Sequence, residues 1–159
     1  MTLSQMQKVP QPGDQAPEFT ARSTSGENVT LSSFRGKRNV LLAFFPLAFT
    51  STCTEELCDF SRAQFDFGEA DVEIVPISVD SVDSLRAFKK LESLSMDLVS
   101  DFRRDISRDY GVLNEEKFYS RRAYFLVDRE GIVRWSHVEA HGGLKRDNAE
   151  ILSEIAKLR

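Results

Sequence analysis

The 159-residue sequence predicts an α/β fold in which a central mixed sheet is flanked by helices. Three patterns along the chain predict this class. Short, continuously apolar segments have the composition of strands that are buried on both faces. Segments with apolar residues at helical spacing alternate with these strands. Two further apolar segments are joined by a tight polar turn, which is typical of a β-hairpin.

The predicted strands follow a polar lead-in that contains several prolines, of which residues 1–9 are expected to form a loose arm. Two of the strands are continuously apolar. Pro76 is unusual in the second of them, because proline cannot donate a ladder hydrogen bond. Residues 128–131 form the turn of the predicted hairpin. The expected strands are 20–22, 29–31, 39–45, 72–79, 124–127 and 132–138.

Four helices are predicted from apolar residues that recur at helical spacing, as Leu85, Phe88 and Leu91 do. Strands and helices alternate before a hairpin and a last helix, and this order is typical of the thioredoxin-like fold. The sequence has no internal repeat and no low-complexity tract, so a single domain is expected over residues 1–159. The helices are expected within 52–67, 81–94, 100–110 and 147–158.

The composition argues against several classes of protein. Hydrophobic residues make up 41% and charged residues 29% of the chain, which is typical of a globular protein. The formal net charge of −4 argues against a nucleic-acid-binding surface. The longest apolar stretch, 40–49, contains Pro46 and is too short to cross a bilayer. Because the chain starts without a signal-peptide pattern and has only two cysteines, we expect a cytoplasmic protein with no membrane partner.

The chemistry is expected where the first buried strand ends, in the segment FFPLAFTSTCTEELC. Thr52 and Glu55 have the spacing of a capping box, which predicts that a helix begins at Cys53. The unpaired N–H groups at a helix N-terminus favour a thiolate, and Thr50 can turn its hydroxyl toward the sulfur. From these residues alone, Cys53 is either a reactive thiol or a small buried hydrophobe.

Three motifs in the sequence resemble those of the peroxiredoxin family. Pro46-x-x-x-Thr50-x-x-Cys53 resembles the PxxxTxxC signature and lies, as in that family, between a buried strand and a helix. Residues 12–19 resemble the N-terminal PGDxAPxF motif, and residues 122–128 resemble the RxxFxxD strand. The stretches FFPLAFT, YGVLNE and VDREGIVRW are most similar to the alkyl hydroperoxide reductase E group. The CxxxxC spacing is instead similar to the bacterioferritin-comigratory type.

The resemblance implies a thiol-dependent peroxidase that reduces hydrogen peroxide and organic hydroperoxides with no bound cofactor and no metal. It implies that Cys53 is the peroxidatic nucleophile, that Thr50 hydrogen-bonds to substrate and thiolate, and that Pro46 shields the sulfur. Arg122 would supply a permanent positive charge, while strand alternation points the adjacent Arg121 to the opposite face.

Glu56 matches a glutamate found at this place in many relatives. It either supports Arg122 and a proton transfer or is a solvated charge on the face of the helix. The family's relatives often form dimers, so a homodimer is a further expectation that the resemblance allows.

Peroxide converts the thiolate of Cys53 to a sulfenic acid, which must then be reduced. The resemblance implies that Cys58 resolves it as an intramolecular disulfide and that thioredoxin or a glutaredoxin-like protein is the reductant. On an intact helix, residues five apart differ by about 7.5 Å in height and about 140° in direction. Their Cα atoms are then beyond the roughly 7 Å limit for a disulfide, so the first helical turn must unwind. Alternatively, Cys58 packs against the core and an external thiol resolves Cys53.

Two other functions are compatible with parts of the sequence. A thiol–disulfide oxidoreductase shares the fold and the cysteine at a helix start, but such enzymes use CxxC rather than CxxxxC. A structural zinc site could use Cys53, Cys58, His137 and His141, the only cysteines and histidines of the chain. The two pairs are much farther apart in sequence than the roughly 12–15 residues of a compact zinc finger.

Overall fold

The computed structural model describes residues 8–158 and has a central five-stranded mixed sheet. Two short two-stranded sheets, β1–β2 and β6–β7, accompany it. The strands of residues 8–158 are β1 (Thr20–Arg22), β2 (Asn28–Thr30), β3 (Asn39–Phe44), β4 (Val72–Ser78), β5 (Val99–Ser100), β6 (Leu113–Asn114), β7 (Tyr119–Ser120), β8 (Ala123–Val127) and β9 (Val133–Val138). The central sheet has the order β5-β4-β3-β8-β9, which confirms the predicted α/β class with a mixed sheet.

The four predicted helices are present, with altered ends. The third is much shorter than the expected segment 100–110, and Gly111 follows it. A 3-10 helix, Leu31–Phe34, follows β2 directly. The α-helices are α1 (Ser51–Glu69), α2 (Val82–Glu92), α3 (Asp105–Asp109) and α4 (Asn148–Ala156). None of the helices within residues 8–158 has the length and hydrophobicity needed to cross a membrane.

Strand β3 is the centre of the sheet and is buried along its length after Asn39. It pairs in parallel with β4 and antiparallel with β8. Leu41, for example, lies between Ile74 and Leu126. Helices α1, α2 and α4 pack on one face of the sheet, and α3 with the N-terminal segments covers the other. A strand covered on both faces must be apolar throughout, which explains the continuous hydrophobic run seen in the sequence.

Pro76 is accommodated in β4 because of where β5 ends. The carbonyl groups of Ile77 and Ser78 accept hydrogen bonds from opposite sides, from Phe45 toward β3 and from Asp101 toward β5. By strand alternation the nitrogen of Pro76 faces the β5 side, as Ser78 does. Strand β5 pairs with Ile77 and Ser78 and not with Pro76. The missing N–H therefore removes no ladder hydrogen bond.

The N-terminal segment contacts the body of the protein from its first described residues. Val9 packs against the hydrophobic cluster below the sheet. Gly111 has φ +67°, and a Cβ there would lie 2.7 Å from the carbonyl carbon of Lys8. A glycine is required at this position for both reasons. Residues 1–7 of the expected arm lie outside the described residues.

The sheet register brings two distant parts of the chain together. Phe44, the last residue of β3, pairs with Ala123, the first residue of β8. The residue before β8 is Arg122, and the residues after β3 lead into α1. Antiparallel pairing of β3 with β8 therefore places Arg122 beside the N-terminus of the helix that carries Cys53.

Candidate active site

Helix α1 begins earlier than the sequence predicts. Its N-cap is Thr50, in extended conformation, and the N–H of Thr54 donates to the Thr50 carbonyl at 2.9 Å. The prediction that Thr52 caps a helix starting at Cys53 is therefore wrong, since both lie inside the first turn. The N–H groups of this turn have no acceptor within the helix, so Cys53 still lies at the positive end of the helix dipole. Its side chain is buried.

Arg122 contacts the sulfur of Cys53 directly. The guanidinium Nη2 lies 3.1 Å from Cys53 Sγ and donates a second hydrogen bond, also of 3.1 Å, to the Gly142 carbonyl. Nη1 donates to Glu56 Oε1 at 2.9 Å. Arg122 is 1%, Cys53 1% and Glu56 2% exposed, so these three charged or ionisable groups meet out of water. Within residues 8–158, Nε of Arg122 is the buried side-chain polar atom that has no hydrogen-bond partner.

The electrostatics of this cluster follow from its burial. Burial raises the pKa of Glu56, although Arg122 and Tyr124 oppose that shift. Burial alone would lower the pKa of Arg122, but the charges of Glu56 and Cys53 outweigh it and raise that pKa. The guanidinium is thus held charged at neutral pH, and it can stabilise negative charge on a neighbouring sulfur or oxygen.

A second layer of hydrogen bonds orients Glu56. Tyr124 donates its hydroxyl to Glu56 Oε2 at 2.5 Å and accepts the N–H of Arg146 at 2.9 Å. Burial and Glu56 raise the pKa of Tyr124, so its phenol stays protonated and donates. Arg146 in turn contacts the buried carboxylate of Glu139 at 2.9 Å. Arg122 and Tyr124 are two residues apart on or beside β8 and so share a face of the sheet.

Tyr124, Glu139 and Arg146 were not predicted from the sequence. Strand alternation from Arg122 was a usable signal for Tyr124. No sequence pattern pointed to Arg146 or Glu139. Their contact joins the loop before α4 to the end of β9, and a local pattern does not predict such a tertiary contact.

Thr50 and Pro46 both lie beside the cluster, with different contacts. The hydroxyl of Thr50 donates to the Leu47 carbonyl at 2.8 Å rather than to the sulfur, and its side chain is exposed. Pro46 is half-buried, and a Cβ on Gly142 would lie 3.9 Å from its Cγ. The loop that contains Gly142 therefore lies over Pro46 and Arg122.

A cavity of about 210 Å³ opens onto this cluster from the solvent side. Pro46, Ser120, Arg122, Glu139 and Gly142 are among its lining residues. Cys53 itself is not among them, but Arg122, whose Nη2 contacts its sulfur, is. A small polar molecule in this cavity can therefore contact Arg122.

Cys58 lies away from this cluster. It is half-buried, and its Sγ lies 3.7 Å from Glu92 Oε2 on α2. Burial and the negative charge of Glu92 raise the pKa of the Cys58 thiol. Both cysteines are unpaired, and α1 is continuous between them. The structure therefore keeps Cys58 apart from Cys53. This separation is what the spacing of five residues on an intact helix predicts.

The zinc-site alternative is wrong for the described part of the chain. Within residues 8–158, no group of three or more histidine, cysteine or acidic side chains is arranged to hold a metal ion. His137 Nε2 lies 2.9 Å from Glu139 Oε1, and His141 Nδ1 accepts the N–H of Gly143. Cys53 contacts Arg122, a cation, which a zinc ligand would not do.

Residues 12–136 match the AhpC/TSA family. The chain is 36% identical over 147 residues to a putative peroxiredoxin of Mycobacterium tuberculosis, covering 86% of this chain and 93% of the relative. It is 36% identical over 135 residues to alkyl hydroperoxide reductase E of the same species, covering 84% and 88% of the two chains. The crystal structure of a reduced 2-Cys peroxiredoxin of Plasmodium vivax is similar, with a TM-score of 0.86 and 35% identity over 92% of this chain and 81% of the other.

Proposed function

The chain belongs to the AhpC/TSA family of peroxiredoxins and is a thiol-dependent peroxidase, and we propose that Cys53 is the thiol that its peroxide substrate oxidises. The observation that carries the proposal is the 3.1 Å contact between the buried Arg122 guanidinium and Cys53 Sγ. A cation at hydrogen-bond distance from a buried sulfur stabilises the thiolate, which is the nucleophilic form of cysteine.

The reaction is an in-line displacement on the O–O bond of a hydroperoxide, ROOH. The Cys53 thiolate attacks the terminal oxygen, an S–O bond forms, and the O–O bond breaks. The departing RO⁻ takes a proton and leaves as an alcohol or as water, and the cysteine becomes a sulfenic acid. Negative charge thus moves from sulfur to the departing oxygen during the step.

Arg122 stabilises this moving charge. Its Nη2 lies beside the sulfur, and its Nε has no hydrogen-bond partner within the described residues, so Nε can donate to a peroxide oxygen. Glu56 and Tyr124 hold the guanidinium in place before the substrate arrives, and such preorganisation lowers the barrier. Thr50 would turn its hydroxyl from Leu47 to the peroxide, and Pro46 would shield the sulfur from bulk water.

We assign the resolving step to Cys58. Its thiol replaces the hydroxyl of the Cys53 sulfenic acid, which yields an intramolecular disulfide and water. Because Cys58 faces Glu92 on an intact helix, the first turns of α1 must unwind before the sulfurs meet. A thioredoxin-type protein, either thioredoxin or a glutaredoxin-like protein, would then reduce the disulfide.

Peroxide consumption by single-cysteine variants tests the assignment of Cys53. Cys53→Ser is expected to abolish reduction of hydrogen peroxide and of an organic hydroperoxide. Cys58→Ser should still consume one equivalent of peroxide per chain, since the first step does not use Cys58. Full activity of Cys53→Ser would overturn the proposal.

Mass spectrometry after one equivalent of peroxide tests the resolving step. The wild-type chain is expected to lose about two mass units as the disulfide forms, whereas Cys58→Ser should give a sulfenic acid that a trapping reagent captures. A trapped sulfenic acid on the wild-type chain, with no disulfide, would assign resolution to an external thiol instead.

A further inference from the structure

The cavity over Arg122 has a cationic rim. Lys117 and Arg121 line it together with Arg122, and the side chains of both rim residues are exposed. The expectation that Arg121 points away from Arg122 does not keep it out of this cavity, because both residues precede the first residue of β8. The side chain of Arg121 donates to the Glu139 carbonyl, at 3.3 Å, and neither rim residue forms an ion pair within residues 8–158. Two exposed cations without anionic partners among the described residues thus line the same cavity as the guanidinium of Arg122.

The acidic residues nearby do not neutralise this rim. Glu139 lines the cavity, but its carboxylate is buried and already contacts Arg146 and His137. Glu115 pairs with Arg108 and, like Glu116, is not among the lining residues. The cationic character of the entrance is therefore not cancelled at short range.

This local charge is opposite in sign to that of the whole chain, whose formal net charge is −4. A cleft with one sign of charge and low-dielectric walls concentrates ligands of the other sign. Hydrogen peroxide carries no charge at neutral pH, so it gains nothing from two exposed cations. Only a substrate that carries an anionic group beside its hydroperoxide would interact with them.

The size of the cavity limits what can enter. Its volume of about 210 Å³ is below the roughly 300–1,000 Å³ of sites for drug-sized ligands. Arg122 lines the cavity, and its Nε, which has no hydrogen-bond partner within residues 8–158, can donate to a hydroperoxide oxygen. A small substrate with its hydroperoxide at Arg122 could then place its anionic group at the rim.

Resting on the proposed function of Cys53, we propose that this site selects organic hydroperoxides that carry a carboxylate, and that Lys117 and Arg121 are the residues that determine this specificity. The hydroperoxide end is held by Arg122, and the carboxylate is held at the rim. Because the rim cations are exposed, they act chiefly on the rate of productive association, and salt weakens their effect.

The test uses three matched substrates: cumene hydroperoxide, its para-carboxylate, and the methyl ester of that acid. The readout is the second-order rate constant for oxidation of Cys53, measured by rapid quenching and trapping of the sulfenic acid. This step precedes any resolving thiol or reductant. The wild-type chain is expected to react about tenfold faster with the carboxylate than with the ester at low salt, and the ratio should fall as salt is added.

Variants locate the source of the preference. Lys117→Gln and Arg121→Gln should each lower the carboxylate-to-ester ratio, and Lys117→Glu should lower it further. Lys37→Gln removes one positive charge at an exposed site outside the cavity and should leave the ratio unchanged. A structural defect would slow both substrates alike and leave the ratio unaltered.

A wild-type ratio near one at low salt would overturn the inference, as would a ratio that survives removal of both rim charges. If neither the ester nor hydrogen peroxide oxidises Cys53, the proposed function of Cys53 fails instead. The two failures are therefore distinguishable.

Discussion

Arg122 is a single side chain that contacts two buried ionisable groups. Its guanidinium is shared between the carboxylate of Glu56 and the sulfur of Cys53, and all three are buried. Burying a charge is costly unless it is paired and hydrogen-bonded. Removing one member leaves an uncompensated charge behind, so the cluster stabilises the fold only while it is complete.

Replacement of Glu56 by Gln tests this dependence. The substitution keeps the shape of the side chain but removes the charge that balances Arg122. We expect the free energy of unfolding to fall by about 3–5 kcal/mol, as measured by chemical denaturation.

Glu55→Gln is the matched control on the same helix. Glu55 is largely exposed, and its ion pair with Lys145 is a long contact of 3.8 Å. Lys145 has a shorter contact of 2.9 Å with Asp59. Its loss should alter the free energy of unfolding by no more than about 0.5 kcal/mol. Equal effects of the two variants would contradict the view that Glu56 is a partner of a buried charge.

At this scale the sequence motifs located Cys53, Arg122 and Glu56, whose geometry now supports one chemistry. They did not locate Arg146 or Glu139. A motif describes residues on one segment of the chain. The contact between Arg146 and Glu139 instead depends on how the loop before α4 passes the end of β9. The direction of the Thr50 hydroxyl was also beyond the motif, since a rotation about one bond decides between the Leu47 carbonyl and the sulfur.

The proposed mechanism places two opposing requirements on helix α1. It must be intact for its N-terminus to favour the thiolate of Cys53, and it must be open for Cys58 to reach that sulfur. In the intact helix Cys58 is also a poor nucleophile, because burial and Glu92 raise the pKa of its thiol and so disfavour the reactive thiolate. Unwinding would release Cys58 from Glu92 and so remove both obstacles.

Hydrogen exchange followed by mass spectrometry tests the unwinding of α1. After one equivalent of peroxide, the amides of residues 53–60 should exchange faster in the wild-type chain than before oxidation. Cys58→Ser, treated in the same way, should keep its protection because no disulfide forms. Unchanged exchange in an oxidised wild-type chain that contains the disulfide would exclude the unwinding model.

The β8–β9 turn gives a prediction for pH. Partial burial alone would raise the pKa of Asp128, but hydrogen bonds from the Ile132 N–H and the Arg134 side chain outweigh it and lower that pKa. A lowered folded-state pKa contributes stability above the ordinary aspartate pKa of about 3.9, and this contribution is lost as pH falls below that value.

Asp128→Asn should therefore destabilise the protein by about 1–3 kcal/mol at pH 7. The difference from wild type should shrink as the pH falls below about 4. Thermal unfolding at a series of pH values measures both effects. Glu130→Gln, in the same turn, is the control and should follow the wild-type profile. A constant difference at every pH would show that the charge of Asp128 contributes nothing.

A helix or strand was predictable from the sequence where the pattern of its own residues is sufficient to determine its type and its ends. The apolar run of β3 and the spacing of Leu85 and Phe88 in α2 were sufficient. The start of α1 was not, because Thr50, Thr52 and Ser51 can all cap a helix and the end of β3 decides among them. The two-residue strands β5, β6 and β7 exist only through their partners, so no local pattern predicts them.

The two faces of the central sheet have different tasks, although both are densely packed. Tyr124 lies on the face that carries α1, and its hydroxyl contacts Glu56. Tyr110 lies on the opposite face, and its hydroxyl donates to the Pro17 carbonyl at 2.7 Å. A buried tyrosine hydroxyl thus supports the candidate active site on one face and holds the N-terminal segment on the other.

A pair of identical substitutions separates these tasks. Tyr124→Phe and Tyr110→Phe should each destabilise the fold, by about 1–3 kcal/mol, because buried groups lose their partners. Only Tyr124→Phe should slow the oxidation of Cys53, by roughly 10- to 100-fold, since Arg122 is then less well positioned. Stopped-flow oxidation by hydrogen peroxide measures the rate, and an equal slowing in both variants would mean that general loosening is responsible.

The contact between Arg122 and Cys53 joins residues 69 positions apart in the sequence. A chain that is still being synthesised has made Cys53 long before it has made Arg122, and strand β8 must then add to β3 before the two meet. Until that moment Cys53 has the surroundings of an ordinary thiol in an extended polypeptide. Under the mechanism proposed above, rapid reaction with peroxide requires this contact, so we expect the newborn chain to acquire that reactivity only once β8 has added to β3.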